Sequence, residues 1–367
     1  MKKDVKDNLL DHSQAKVNLL GKYLTRYLAV ISNTDYVRRI RVYDLFCGEG
    51  IYQDGGEGSP IVILHAIQEL HQSGRIKDKI PHIDCFFNDV SQPKIEKLKQ
   101  IVSEWNPEQI HGKITLTSND YQDELKNLIE SLPNLKNEEA FVFIDPYEYK
   151  HIKASHIRDL LRSKNAEVLL WLPTQFMYRF ESNGTPQALK DMIEELVPFD
   201  RWKQSDSVWQ FIDQLKSELR NYLGHEFFVD TFTIQKDPQT VFCLFFFSSH
   251  IRGFEKMLEA KWAMDQDSGK GWKYHKQQDL FAALETNVLE EQLKLFLNVG
   301  KTNGEIYEFT LHAGFLPTHA VEILTSLQDN GTLEVLCKNG EPARKKAFYI
   351  SYKNYKIEPQ KVKIKLK

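Results

Sequence analysis

Four short clusters in the 367-residue sequence hold side chains that could do chemistry together. Asp44-Leu45-Phe46-Cys47-Gly48-Glu49-Gly50 joins a carboxylate to a turn with two glycines, where bare backbone can come close to a ligand. Asn88-Asp89 adds an acid able to accept both hydroxyls of a ribose. The gap between the two aspartates is wider than the roughly 20 residues of the dinucleotide fingerprint, and the excess sits in residues 51–58 and 75–81. Ser118-Asn119-Asp120 offers a partner for an adenine amino group, or an N-cap for the helix that follows. Ile144-Asp145-Pro146-Tyr147 combines a carboxylate, a rigid proline and an aromatic ring. Asp145 and a backbone carbonyl can accept the protons of an amine and leave its lone pair exposed. Tyr147 can stack on a base turned out of its helix. Each cluster also has a plain reading, as a strand–helix turn, a cap or a structural aspartate.

Other chemistries find no footing. The chain has no GxSxG, no GxxxxGK[ST] and no HExxH. A nicotinamide enzyme would want GxGxxG, and Gly48-Glu49-Gly50-Ile51-Tyr52-Gln53 ends in glutamine. A cytosine-C5 enzyme needs a Pro-Cys nucleophile, and Cys47 stands in another loop. The twelve histidines and four separated cysteines show no metal-ligand spacing, so no metal is expected. No apolar run approaches a membrane span. Residues 1–7 lead into no secretory h-region, and a reducing cytoplasm is the expected compartment.

The clusters need elements to hold them. Val17, Leu20, Tyr23, Leu24, Tyr27 and Leu28 predict a helix over residues 14–31. Strands are expected at 40–46, 83–89, 113–117, 140–144 and 168–172, each followed by a helix-like pattern except where residues 174–224 insert helices. Ser59 reads as an N-cap with Pro60 at the first helical position. Residues 227–234 and 240–248 are too close to be anything but an antiparallel hairpin. Each of the four clusters falls where a strand ends. Five strand–helix units imply a parallel sheet covered on both faces. With the terminal hairpin, the layout resembles a Rossmann-like class I methyltransferase more than an ordinary nucleotide-binding domain, a likeness to known folds that periodicity itself does not show.

The texture changes near residue 285, dividing the chain into 1–284 and 285–367. Helices are expected around Leu289–Leu297, at Asn303–Phe309, and from an N-cap at Thr318. Strands at 332–336 and 347–351 then form a basic hairpin, giving a C-terminal winged helix-turn-helix. The last 30 residues hold ten basic side chains and two acids, against a chain total of −3. An acidic body with a basic end points to an anionic partner, DNA or RNA, met by Arg344, Lys345 and Lys346. The third helix carries no Arg or Lys, which argues against base reading by that helix. The last seven residues read as either a solvated tail or part of the basic surface.

Asp44 through Tyr52, Gly58-Ser59-Pro60, Phe143 through Tyr147, Lys256 through Trp262 and Gly314 through Ala320 together resemble the three-Cys-motif partner (TcmP) proteins. The resemblance spans nearly the whole chain. It implies a class I S-adenosylmethionine methyltransferase fold with a winged helix and a three-Cys-motif protein as partner. The chain is also similar to ribosomal RNA adenine-N6 methyltransferases, whose DPPY motif is here one proline short. These resemblances imply S-adenosylmethionine held by Lys16, Asp44, Phe46, Gly48, Gly50, Asp89 and Asp120. They imply catalysis of N6-adenine methylation by Asp145, Pro146 and Tyr147. A partner-binding protein with an idle cofactor pocket is the alternative.

Overall fold

The computed structural model describes residues 10–74, 81–104, 112–146, 152–181, 185–274 and 282–367. Two compact units divide them: residues 1–256 with 270–274, and residues 257–269 with 275–367. Tyr147 lies outside the described residues, as does Trp105, expected on a helix face.

The first unit opens with α1 (Asp11–Ile31) and β1 (Arg39–Asp44). Then come α2 (Ser59–Gln72), β2 (His82–Asn88), α3 (Gln92–Ser103), β3 (Ile114–Thr117), α4 (Tyr121–Ser131), β4 (Glu138–Ile144), α5 (Ala154–Leu161) and β5 (Ala166–Leu172). The insertion supplies α6 (Thr174–Arg179), α7 (Gln187–Leu196) and α8 (Val208–Leu223). β6 (Phe228–Asp237), β7 (Thr240–Ser248), the start of α9 (Ile251–Met264) and β8 (Gly271–Lys273) follow. Sheet order is β3-β2-β1-β4-β5-β7-β6-β8. β1 to β5 run parallel, and β7 enters antiparallel to both β5 and β6. The expected α/β sheet with its terminal hairpin is therefore present.

Burial explains the order. β4 and β5 are apolar runs, fully buried from Ala140 to Ile144 and from Val168 to Leu172, with Glu167 the one buried acid near the start of β5. Such strands need helices on both faces. α1 buries one face, including Leu19, Leu20, Tyr23 and Leu24, and the helices on the other side close over Leu128, Leu160 and Phe211. Glu167 accepts hydrogen bonds from Tyr23 and, at 2.7 Å, from Ser248. Burial still raises its carboxyl to about 7.

The cap of α2 differs from expectation. Gly58, extended at φ −80° and ψ 177°, occupies the cap, and Ser59 and Pro60 are the first two helical residues. α6 and β8 leave no clear signal in the sequence. Both are very short, six and three residues.

The second unit holds α10 (Ala282–Leu297), β9 (Lys301–Thr302), α11 (Asn303–His312), α12 (Pro317–Asp329), β10 (Leu333–Cys337), α13 (Tyr352–Tyr355) and β11 (Val362–Leu366). α11 starts with a reciprocal cap between Thr302 and Glu305. α12 is capped at Leu316, not Thr318, with Pro317 inside the first turn. The expected hairpin is corrected most. Residues 347–351 form no strand: Lys346 and Tyr349 have φ of 63° and 57°, which interrupts an extended run. Phe348 and Ile350 are buried all the same. β10 instead pairs antiparallel with β11, and β11 with β9, in the order β10-β11-β9. The last seven residues are thus not a solvated tail but the central strand, with Val362 and Ile364 buried.

Candidate functional site

Strand order reverses between β1 and β4, and in open α/β sheets ligands sit beyond the carboxyl ends at such a switch. Asp44 ends β1, Asn88 ends β2 and Asp145 follows β4. Asn88 braces the loops that follow β1 and β3. Its amide oxygen accepts from Thr117 Oγ1 and the Asn119 N–H, both at 3.0 Å, and its Nδ2 donates to the Asn119 carbonyl at 3.1 Å. Its carbonyl accepts from the Cys47 N–H at 2.8 Å. That bracing role has no sequence signature.

Asp44 is fully buried. Its Oδ1 accepts from the Phe46 N–H at 3.3 Å, while Oδ2 has no hydrogen-bond partner. Burial raises its carboxyl to about 7, against the opposing pull of Ser59, Phe46 and Lys16. Lys16 on α1 forms an ion pair with Asp145, both side chains largely shielded from solvent. The two aspartates and the lysine thus feel one another electrostatically. An uncompensated buried carboxylate oxygen is costly, and a cationic ligand atom beside it would relieve the cost.

The glycines divide their labour. Gly48 has φ +68°, and a Cβ added there would meet nothing within 4 Å. Gly50 has φ +87°, but its Cβ would lie 2.7 Å from Leu98 Cδ1, so it packs the loop against α3 rather than opening it. Gly58 N–H donates to the Gly50 carbonyl at 2.7 Å and closes the extended loop. Phe46 stacks on Tyr121, ring centroids 4.7 Å apart.

Asp89 is buried and already employed. It accepts from the Gly48 N–H at 3.2 Å and the Ser91 N–H at 2.9 Å, and lies 3.5 Å from Lys94. A ribose would have to share it. Val90, next in sequence, is an exposed apolar side chain at the same edge. Asp120 caps α4, accepting from the Gln122 N–H at 2.8 Å. Cys47 is buried near Asp44 and Asp89, and burial pushes its thiol far above the ordinary range.

Beside Lys16 stands an aromatic column that sequence reading missed. His12 stacks on Phe242 at 5.2 Å, and Phe242 on Trp171 at 4.9 Å. Lys16 Nζ lies 5.0 Å from the Trp171 ring centre. Burial, then Lys236 and Lys16, lower His12 to about 4, so it stacks uncharged. α1, β5 and β7 each supply one ring, and no local motif joins them.

Arg344, Lys345 and Lys346 lie in the second unit. Lys345 Nζ is 2.7 Å and Lys346 Nζ 4.0 Å from Asp329 at the end of α12. Among the described residues no group of His, Cys, Asp or Glu could hold a metal, and no helix is long and apolar enough to cross a membrane.

No family profile matches the chain, and no curated protein is similar in sequence. Solved structures do show similarity in chain path. Protein LPL1258 from Legionella pneumophila aligns over 71% of this chain and 94% of its own, at 13% identity and a TM-score of 0.43. A putative O-methyltransferase from Klebsiella pneumoniae aligns over 61% and 79%, at 11% identity and 0.33. The Bacillus cereus O-methyltransferase solved with S-adenosylhomocysteine aligns over 62% and 80%, at 12% identity and 0.30.

Proposed function

We propose that the chain is a class I S-adenosylmethionine-dependent methyltransferase acting on an amino group of DNA or RNA, adenine N6 first among them. One observation carries the reading: Asp44, with an orphaned buried oxygen, and the Lys16–Asp145 pair meet at the switch point of the sheet. Asp44 suits the α-ammonium of the cofactor, and the open backbone at Gly48 suits its close approach. Bound there, S-adenosylmethionine supplies an electrophilic methyl group. Asp145 accepts a hydrogen bond from the target amine and turns its lone pair outward. Pro146 stiffens the loop that presents Asp145. The His12–Phe242–Trp171 column forms an apolar wall beside that carboxylate, suited to a planar base. The second unit, with its helix–strand–helix–helix–strand–helix–strand order, serves as a winged helix that brings nucleic acid to the enzyme.

A second reading has its own observation. Lys16 already engages the carboxylate that would receive the amine, which suits a cofactor-sensing component working with a three-Cys-motif protein. Calorimetry with S-adenosylhomocysteine, followed by labelled methyl transfer to mixed nucleic acids, separates the cases. Binding with transfer, lost in Asp145→Asn while binding persists, supports the enzyme. Binding without transfer, alone or with the partner, supports the sensor. No binding by folded protein removes both.

A further inference from the structure

β11 alternates strictly. Val362 and Ile364 point into the second unit, and Lys361, Lys363, Lys365 and Lys367 are exposed. Alternate residues of a strand share a face at roughly 6.7 Å intervals. The cations therefore form a straight row down the middle strand of the sheet. Among the described residues, no ion pair engages Lys363, Lys365 or Lys367. Glu334 and Leu336 of β10 stand opposite Lys365 and Lys363.

The row borders a cavity of about 400 Å³ lined by Asn298, Val299, Gly300, Glu334, Leu336, Lys363 and Lys365. The Lys363 side chain lies against Gly300, where an added Cβ would stand 2.6 Å from its flexible Cε end. Val299 is 69% exposed, an apolar side chain left at the rim. By contrast, Lys345 and Lys346 are drawn to Asp329, and α12 carries no Arg or Lys.

We infer that this sheet face, rather than the loop with Arg344, Lys345 and Lys346, is the docking surface for a single nucleic-acid strand. The row of ammonium groups matches a regularly spaced line of phosphates, as an extended strand presents them. The depression between Val299 and Leu336 accepts a base against apolar surface. A folded acidic protein offers carboxylates without that regular spacing. The inference deepens the nucleic-acid reading above and rests on it for the substrate class, but the surface belongs wholly to the second unit.

The test uses the full chain, without cofactor, and a fluorescent single-stranded oligonucleotide titrated at several salt concentrations. Lys363→Gln, Lys365→Gln and Lys367→Gln are combined in one variant, and Arg344→Gln, Lys345→Gln and Lys346→Gln in another. Each lost phosphate contact on a single strand changes the log–log salt slope by about 0.7, so the row variant should flatten it by about 2. It should also weaken binding about tenfold or more at low salt, while the loop variant keeps both values. Melting curves of both variants should match the wild type, because the replaced side chains are exposed. Gly300→Val, which puts a side chain into the depression beside Val299, should weaken binding with all lysines present. The inference is overturned if only the loop variant loses affinity, if duplex binds as tightly as single strand, or if polyglutamate competes as well as the oligonucleotide. These results are independent of cofactor binding, so failure here is distinct from failure of the methyltransferase reading.

Discussion

Replacing Asp44 with asparagine should stabilise the empty protein in alkali while destroying its ligand site. The carboxyl rises from 3.8 to about 7 because it is fully buried. A folded-state value above the unfolded one means that the native state holds the proton more tightly between those limits. Stability from this group is fully present below pH 3.8 and is lost as pH rises through about 7. The whole shift corresponds to roughly 4 kcal/mol, of which about 3 kcal/mol develops between about pH 5 and pH 8.5. The carboxamide in Asp44→Asn would keep an acceptor for the Phe46 N–H and cannot ionise. The difference in unfolding free energy between Asp44→Asn and wild type should therefore grow by about 3 kcal/mol in favour of the variant across that range. Urea unfolding at a series of pH values measures it, and contributions from other carboxylates cancel in the difference. The same reasoning makes binding of a cationic ligand expel part of a proton near pH 7. Calorimetry in buffers of different ionisation enthalpy would detect that release in wild type only. A stability difference independent of pH, or ligand binding undiminished in the variant, refutes the reasoning.

Glu167→Gln should remove a second pH-dependent loss of the same sign, over the window from 4.5 to about 7, visible as a shallower fall in melting temperature with rising pH. Gly50→Ala should cost about 1–3 kcal/mol in denaturant unfolding, since it adds a left-handed alanine and a clash with Leu98. Gly48→Ala should cost about 1 kcal/mol in stability, with its larger effect on S-adenosylhomocysteine affinity. Equal profiles for the two glycine variants would contradict their different surroundings. Ending the chain at Gln360 should unfold the second unit, because burial of Val362 and Ile364 contributes roughly 3–6 kcal/mol and both sheet partners lose their strand. Limited proteolysis would show that unit degraded, and an intact, protected unit would count against the observed pairing.

The strands that hold the site were legible because a central parallel strand leaves a run of apolar residues, as Ala140 to Ile144 does. The glycine turn was legible because positive φ at Gly48 and Gly50 restricts residue type. Asp44 and Asp145 were visible as acids at strand ends, but the Lys16–Asp145 pair spans 129 positions and leaves no local trace. Asp120 showed both of its possible uses, and the structure displays the cap. The error at the basic end has a physical cause. Ala347 to Ile350 looks extended by composition, yet Lys346 before it and Tyr349 within it adopt positive φ. Val362-Lys363-Ile364-Lys365-Leu366 has the alternation of a half-buried strand, but its charge density made it resemble a tail. Period two was the better guide than charge.

The pairing of β11 also sets an order of events during synthesis. β9 and β10 do not pair with each other; each waits for β11, which leaves the ribosome after both. Until then a nascent chain carries two orphan strands and an uncovered apolar layer at Leu333 and Val335. Exposed strand edges recruit other chains, so this interval is the one in which the unit is most open to misassembly. The lysines of β11 stand on the strand that ends this exposure.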